Sequence, residues 1–241
     1  MTSLVSHGQT CNKNFKHRLT STHPKVTFYL TVVSTKYPPY WIKKGDFIEG
    51  YAADIACEVI GNAGFHFKML TFSWARAYKM GLDHKNTILV SVGRTEARES
   101  KLQWIGPVSK KFWNSFIKLK QTTLDKESQD LKSMPIVVER DSFNQSYLQK
   151  NGFKKIIDIT QQDQLILMLA KGRVKLTLFQ EDQFFALAKE NNLKKDQFSI
   201  LQRVFSVQEY MAASLSTEKK YVKQLKKSYT ELEKQGKIIL R

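Results

Sequence analysis

Apolar positions along the chain come in short blocks that switch between two periods. Val26–Val33 is β-branched and aromatic with partial alternation, which predicts a buried strand. Tyr37-Pro38-Pro39-Tyr40-Trp41 must be a loop, because tandem prolines fix φ and remove donors, and Lys44-Gly45-Asp46 reads as a turn. Tyr51–Ala63 then places Ile55, Ala56, Val59 and Ile60 on one helical face, closed near Gly64. Phe65–Phe72 alternates as a strand, Ser73 is placed to cap a helix carrying Trp74, Ala77, Tyr78 and Met80, and Thr87–Val92 is a short apolar strand of the kind buried on both faces.

The strand-helix rhythm then restarts. Phe112–Leu119 reads as a long strand, Pro135–Glu139 as another, and Ser142 as the cap of a helix through Lys150. A helix over Gln161–Ala170 closes at Gly172, and Val174–Phe179 is a strand followed by a helix from about Glu181 to Asn191. One further strand lies within Val204–Leu215. Thr217 is placed to cap a last amphipathic helix with Val222, Leu225, Tyr229 and Leu232 on its apolar side. Alternating β and α elements predict α/β architecture with parallel sheets, and two rounds of the rhythm predict two lobes. No short-period internal repeat is visible.

Composition narrows the function. The chain has 241 residues, 41% hydrophobic and 12% aromatic, enough to bury a core and too apolar for disorder throughout. The formal charge is +17, but the lysines are dispersed in pairs such as Lys110-Lys111 and Lys226-Lys227 and do not interleave with aromatics. A lysine-rich solvated surface, with no nucleic-acid partner, is the expectation. No apolar run is long enough to span a bilayer. Residues 1–24 are polar and basic, lack a signal-peptide apolar region, and read as a disordered lead or the wrong start of a trimmed secreted protein.

Candidate chemistry is sparse. The two cysteines, Cys11 and Cys57, cannot form a disulfide framework or a four-ligand zinc site alone, and Cys57 reads as a buried core thiol. The five histidines show no metal spacing, and neither a phosphate loop nor a GxSxG elbow is present. No metal, cofactor or catalytic residue is expected.

One ordered series of motifs is more specific: YPPYW, EGYAADIACEVIGNAGF, SWARA, NTILVSVGRTEAR and WIGPV, then DLKSMPIVVERDSFNQSYLQKNGF, QLILMLAKGRVKLTLF and YVKQLKKSYTELEKQGKI. From Lys25 to Ile238 the chain resembles the bacterial extracellular solute-binding proteins of the polar-amino-acid type that feed ABC importers. The resemblance implies a two-lobed, type II periplasmic-binding-protein-like α/β fold with two crossover strands as hinge. Lobe 1 would comprise residues 25–113 with 213–241, and lobe 2 residues 114–212. It implies a monomeric, non-enzymatic, periplasmic or extracytoplasmic protein that captures a small polar, amino-acid-like ligand in an interlobe cleft and delivers it to a membrane ABC permease. An enzyme on the same scaffold (dehydratase-like or lytic-transglycosylase-associated, with Glu181 or Glu49 as acid or base) and a sensory ligand-binding domain are the alternatives.

The resemblance also marks ligand positions. Thr95, Arg98 and Ser142 match positions that hold the ligand carboxylate, and Gly93 stands where the family has serine. The chemistry agrees, because a guanidinium and the amides of a helix start are good carboxylate partners. A solvent-facing Arg98 paired with Glu96 or Glu99, and a Ser142 that is only a cap, are the plainer readings. Tyr40 matches the aromatic that packs on the ligand, with an exposed ring in a proline-fixed loop as the physical hint. Trp74 and Trp41 are nearby candidates, although the helical spacing of Trp74 also fits a core position. Where the family has an acid for the ligand ammonium, this chain has Gln180, followed by Glu181. Either Glu181 compensates, or ligands lacking the ammonium are preferred; the second case is favoured.

Overall fold

The computed structural model describes residues 29–45, 47–124 and 131–241. The expectation for residues 1–24, the start of the Val26–Val33 strand and the Asp46 end of the predicted turn lie outside the described residues. The chain forms two compact units. Among the described residues, unit 1 holds 29–72, Arg76–Lys110 and Glu209–Arg241; unit 2 holds Ser73–Ala75 and 111–208 without the undescribed stretch. Apart from the three residues Ser73–Ala75, the chain passes between units at Lys110/Lys111 and again at Gln208/Glu209.

Unit 1 is built on β1 (Tyr29–Thr35), β2 (Ile42–Lys44), β3 (Phe47–Glu49), α1 (Tyr51–Asn62), β4 (His66–Phe72), α2 (Trp74–Asp83), β5 (Thr87–Gly93), α3 (Glu96–Glu99) and β6 (Leu102–Pro107). The chain returns to it with β12 (Glu209–Ser214) and α7 (Lys219–Lys234). Its sheet runs β4-β1-β5-β12-β6, with β1 parallel to β4 and β5, and β12 antiparallel to β5 and β6. Every residue of β5 is buried, which is why its sequence lacks the apolar/polar alternation of a half-exposed strand and carries Ile88, Leu89, Val90 and Val92 with only the hydroxyls of Thr87 and Ser91 among them. The apolar face of α1 packs in one core with Leu30, Val32, Trp41, Ile48, Met69 and the Val222–Leu232 stripe of α7. Helix α1 ends as its sequence predicts: Gly64 takes φ +76° and the Phe65 N–H reaches back to the Ile60 carbonyl at 3.2 Å.

Unit 2 holds β7 (Phe112–Leu119), β8 (Pro135–Glu139), α4 (Phe143–Lys150), β9 (Lys155–Ile159), α5 (Gln162–Ala170), β10 (Leu176–Gln180), α6 (Glu181–Glu190) and β11 (Phe198–Val207). Its sheet runs β11-β7-β10-β8-β9. The topology repeats that of unit 1. Three parallel strands have the first in the middle, here β9-β8-β10 and there β4-β1-β5, and an antiparallel strand follows beyond the third. One face of the unit 2 sheet carries Ile117, Val137 and Phe179 against α5 and α6. The other carries Phe116, Ile136, Val138, Leu176 and Leu178 against Leu148 and Tyr147 of α4.

Several expectations are corrected. Both sheets are mixed rather than parallel throughout. The segment Val204–Leu215 is not one strand: β11 ends at Val207 in unit 2 and β12 starts at Glu209 in unit 1. Thr217 does not cap α7. The cap is Glu218, while the Thr217 hydroxyl sits 2.8 Å from the Ser214 hydroxyl and accepts from the Asn86 N–H at 3.1 Å. Cys57 is buried in the unit 1 core as expected, but as a disulfide-bonded residue rather than a thiol. The sequence holds one other cysteine, Cys11, which lies outside the described residues.

Candidate functional site

In open α/β sheets, ligand chemistry collects beyond the carboxyl ends of the parallel strands. In unit 1 that edge follows β5. Gly93 is the last residue of the strand, and Arg94–Glu99 wraps directly after it. Thr95 occupies the N-cap position of the short α3, but its side chain makes no capping bond. Arg98 is 5% exposed, so it does not face solvent. Its guanidinium lies 4.7 Å over the Tyr78 ring, and one Nη donates to the Gly93 carbonyl at 3.4 Å. Glu99, a possible partner by sequence, is engaged by Arg94 through two bonds of 2.8 and 2.6 Å. The Arg94 guanidinium beside it holds the Glu99 carboxyl below the usual glutamate range. A strained residue marks the same strand end: Ser91 has φ +60°, is buried, and its Oγ has no partner among the described residues.

Tyr40 differs from its expectation. The ring is 4% exposed, stacked on Tyr37 at 5.2 Å, with its hydroxyl 3.3 Å from the Arg241 carbonyl. Its backbone has a structural task. The Pro39 and Tyr40 carbonyls accept from the N–H groups of Tyr51, Ala52 and Ala53, which are otherwise unsatisfied at the start of α1. Trp41 is fully buried and donates its indole N–H to Thr71 at 2.9 Å. Trp74 is also buried, and its contacts group it, with Ser73 and Ala75, into unit 2.

In unit 2 the corresponding edge lies beyond β8 and β10. Ser142 follows β8, is 6% exposed, and caps α4 by accepting the Gln145 N–H at 3.1 Å. The Gln145 side chain returns the favour to the Asp141 N–H at 2.7 Å, a close variant of the capping box. Gln180 ends β10 and caps α6: its Oε1 accepts the Gln183 N–H. A chain of amides holds that turn in place, with Gln183 Nε2 donating to Gln162 Oε1 at 2.6 Å and Gln162 Nε2 to the Glu139 carboxylate at 3.0 and 2.9 Å. Glu181, the next residue, takes the Ser115 hydroxyl at 2.5 Å and Arg203 at 2.9 and 3.1 Å.

Two side chains absent from the sequence reading join this edge. Asn114 on β7 stands directly opposite Gln180 on β10 in the antiparallel register. Asn114 is fully buried, and neither its Oδ1 nor its Nδ2 has a partner among the described residues; Gln180 Nε2 and Asn144 Oδ1 share that condition. A signal for Asn114 existed in the sequence: an asparagine inside the apolar strand FWNSFIKL is a poor strand former. Its cross-strand pairing is not readable from sequence. No cluster of metal-ligating side chains occurs among the described residues, and no described helix is long and apolar enough to cross a membrane.

Comparison with known proteins fits this architecture. No protein-family model matches the chain, and no curated protein matches it in sequence. Solved structures do match. A histidine kinase sensor domain with similarity to periplasmic binding proteins is 15% identical with a TM-score of 0.78, covering 87% of this chain and 92% of that one. The chain has a periplasmic-binding-protein-like fold. An ancestral arginine-binding protein bound to arginine gives 18% identity and a TM-score of 0.74 over 87% of this chain and 94% of that one. ArtJ, an arginine-, lysine-, histidine-binding protein from Geobacillus stearothermophilus, gives 15% and 0.73 over 87% and 91%. Two of these three are amino-acid-binding proteins and the third a sensor domain. The periplasmic-binding-protein-like fold is thus reached at identities where sequence comparison alone falls silent.

Proposed function

We propose that this protein binds a small polar solute bearing a carboxylate, an amino acid or an analogue of one, outside the cytoplasm, and hands it to an ABC permease without covalent chemistry. The observation that carries the reading is Arg98: a buried guanidinium placed just past the carboxyl end of the fully buried β5. A guanidinium held at such a strand end can take a carboxylate through charge-assisted, bidentate hydrogen bonds, in the place where open α/β sheets bind ligands. The remaining ligand positions in this proposal are Trp74, Gly93, Thr95, Ser142 and Gln180; Tyr40 and Glu181 drop out of it, because the Tyr40 ring is packed on Tyr37 and Glu181 is engaged by Ser115 and Arg203. The fold shared with amino-acid-binding proteins supports solute binding as the general role. The similarity to a histidine kinase sensor domain favours one second reading, a sensory domain that reports the same class of ligand to a signalling partner.

A thermal-shift screen of amino acids, other carboxylates and polyamines identifies the ligand, because binding to the folded state alone raises its melting temperature. Calorimetry with the best compound on wild type and Arg98→Ala then tests the anchor. Losing a charge-assisted contact is expected to weaken binding by about 2–4 kcal/mol. Equal affinities would remove Arg98 from the site.

A further inference from the structure

The amide of Gln180 has only one chemically allowed orientation. Its inner atom faces the Gln183 backbone N–H, and a backbone N–H can only donate. That atom is therefore the oxygen, and the other end of the amide is an NH2 group that can only donate in turn. Gln180 is 2% exposed and this Nε2 has no partner among the described residues. Directly across the ladder, the fully buried Asn114 leaves one acceptor and one donor equally unused. Paired residues of an antiparallel ladder project from the same face, with Cβ atoms about 5 Å apart. That face is the α4 side of the sheet, because Phe116 and Leu178, each two residues along from the pair, pack in the α4 core. Two nearby glutamates are engaged elsewhere. Glu181 is bound by Ser115 and Arg203, and Ser115 points to the opposite face from its neighbour Asn114. Glu139 accepts from Gln162.

Buried amide groups left unpaired cost free energy, so a fold that keeps them has a use for them. We propose that Asn114 and Gln180 form a specificity pair for a neutral oxygen of the solute, and so select 2-hydroxy acids over the matching 2-amino acids. A hydroxyl satisfies both partners at once: its oxygen accepts from Gln180 Nε2 and its hydrogen is donated to Asn114 Oδ1. An ammonium is donor-only. It meets the fixed Gln180 donor head-on, and the position that would offset its charge is a neutral amide rather than a carboxylate. This inference rests on the proposed binding of a small carboxylate-bearing solute.

The test uses the full chain and four matched pairs: lactate and L-alanine, malate and L-aspartate, 2-hydroxyglutarate and L-glutamate, and the 2-hydroxy analogue of arginine with L-arginine. Dissociation constants are measured by calorimetry, with thermal shift as the first screen. For the side chain that binds best, wild type should favour the hydroxy acid at least tenfold. Gln180→Glu keeps the cap on Gln183 with one oxygen and turns the unpaired donor into a charged acceptor, so it should shift the preference at least tenfold toward the amino acid. Asn114→Asp should shift it the same way and serves if the first variant does not fold. A wild type that prefers the amino acid, or a preference unmoved in a folded variant, overturns the pair while leaving solute binding in place. No binding to any of the eight compounds and none in the wider screen overturns the proposed function, and this inference with it.

Discussion

Gly50→Ala should damage the protein out of proportion to one methyl group. Gly50 precedes α1 with φ +120°, a conformation that L side chains rarely adopt, and that strain alone is worth about 1–3 kcal/mol. A Cβ there would sit 2.6 Å from the Tyr40 carbonyl oxygen and 2.8 Å from that of Pro39. Both obstacles are backbone, so neither can swing aside as a side-chain tip could. They are also the acceptors for the Tyr51, Ala52 and Ala53 N–H groups. Pushing the loop away strains those bonds at about 1 kcal/mol each. The expected loss is about 3–5 kcal/mol, or on the order of 10 °C in melting temperature for a chain of this length. Urea unfolding followed by circular dichroism and by tryptophan emission would read it, since the fully buried Trp41 reports directly on this loop. A loss below about 1 kcal/mol, less than the backbone strain and the three bonds call for together, would show that the loop yields and does not anchor α1.

Two further substitutions separate roles that the structure combines. Ser142→Ala should cost about 0.5–2 kcal/mol through loss of the α4 cap, whereas Ser142→Asp should keep the cap and the stability but weaken carboxylate ligands by like-charge repulsion; calorimetry and urea titration together distinguish them, and equal ligand affinity in Ser142→Asp and wild type would leave Ser142 a cap only. Glu99 is held below its ordinary value of 4.5 by its bonds to Arg94, so the stability it adds is present above that value and is lost as pH falls through the depressed one. The difference in urea midpoint between wild type and Glu99→Gln should therefore be full at neutral pH and shrink as acid protonates the Glu99 carboxyl; a difference unchanged down to the most acidic pH at which the fold survives would assign the effect to packing.

Elements governed by near neighbours in the chain were legible in the sequence. The Ser142 cap with Gln145 three residues on, the Gly64 and Gly172 stops, the mostly apolar β5 and the Val222–Leu232 stripe of α7 all follow from local sterics and periodicity. Short or half-exposed strands were not. The hairpin of β2 and β3 is too short to carry a pattern, and the edge strand β9 and the strand β6 have little of their own and take their place by pairing with β8 and β12. Side-chain fates divide the same way. Thr217 looks like a cap, but its hydroxyl meets Ser214 three residues earlier and accepts the N–H of Asn86, which the pairing of β5 with β12 brings to it. The proline-rich loop suggested an exposed Tyr40, yet the start of α1 needs the loop's carbonyls and draws the ring into the core. Gln180 was visible in sequence as a neutral residue at a strand end. Which end of its amide is left unpaired, and that Asn114 lies 66 residues earlier yet directly across the ladder, depend on one backbone N–H and one strand register. Local order is set by interactions a few residues long, whereas the pairing of buried polar groups is settled only when strands far apart in the chain are brought side by side.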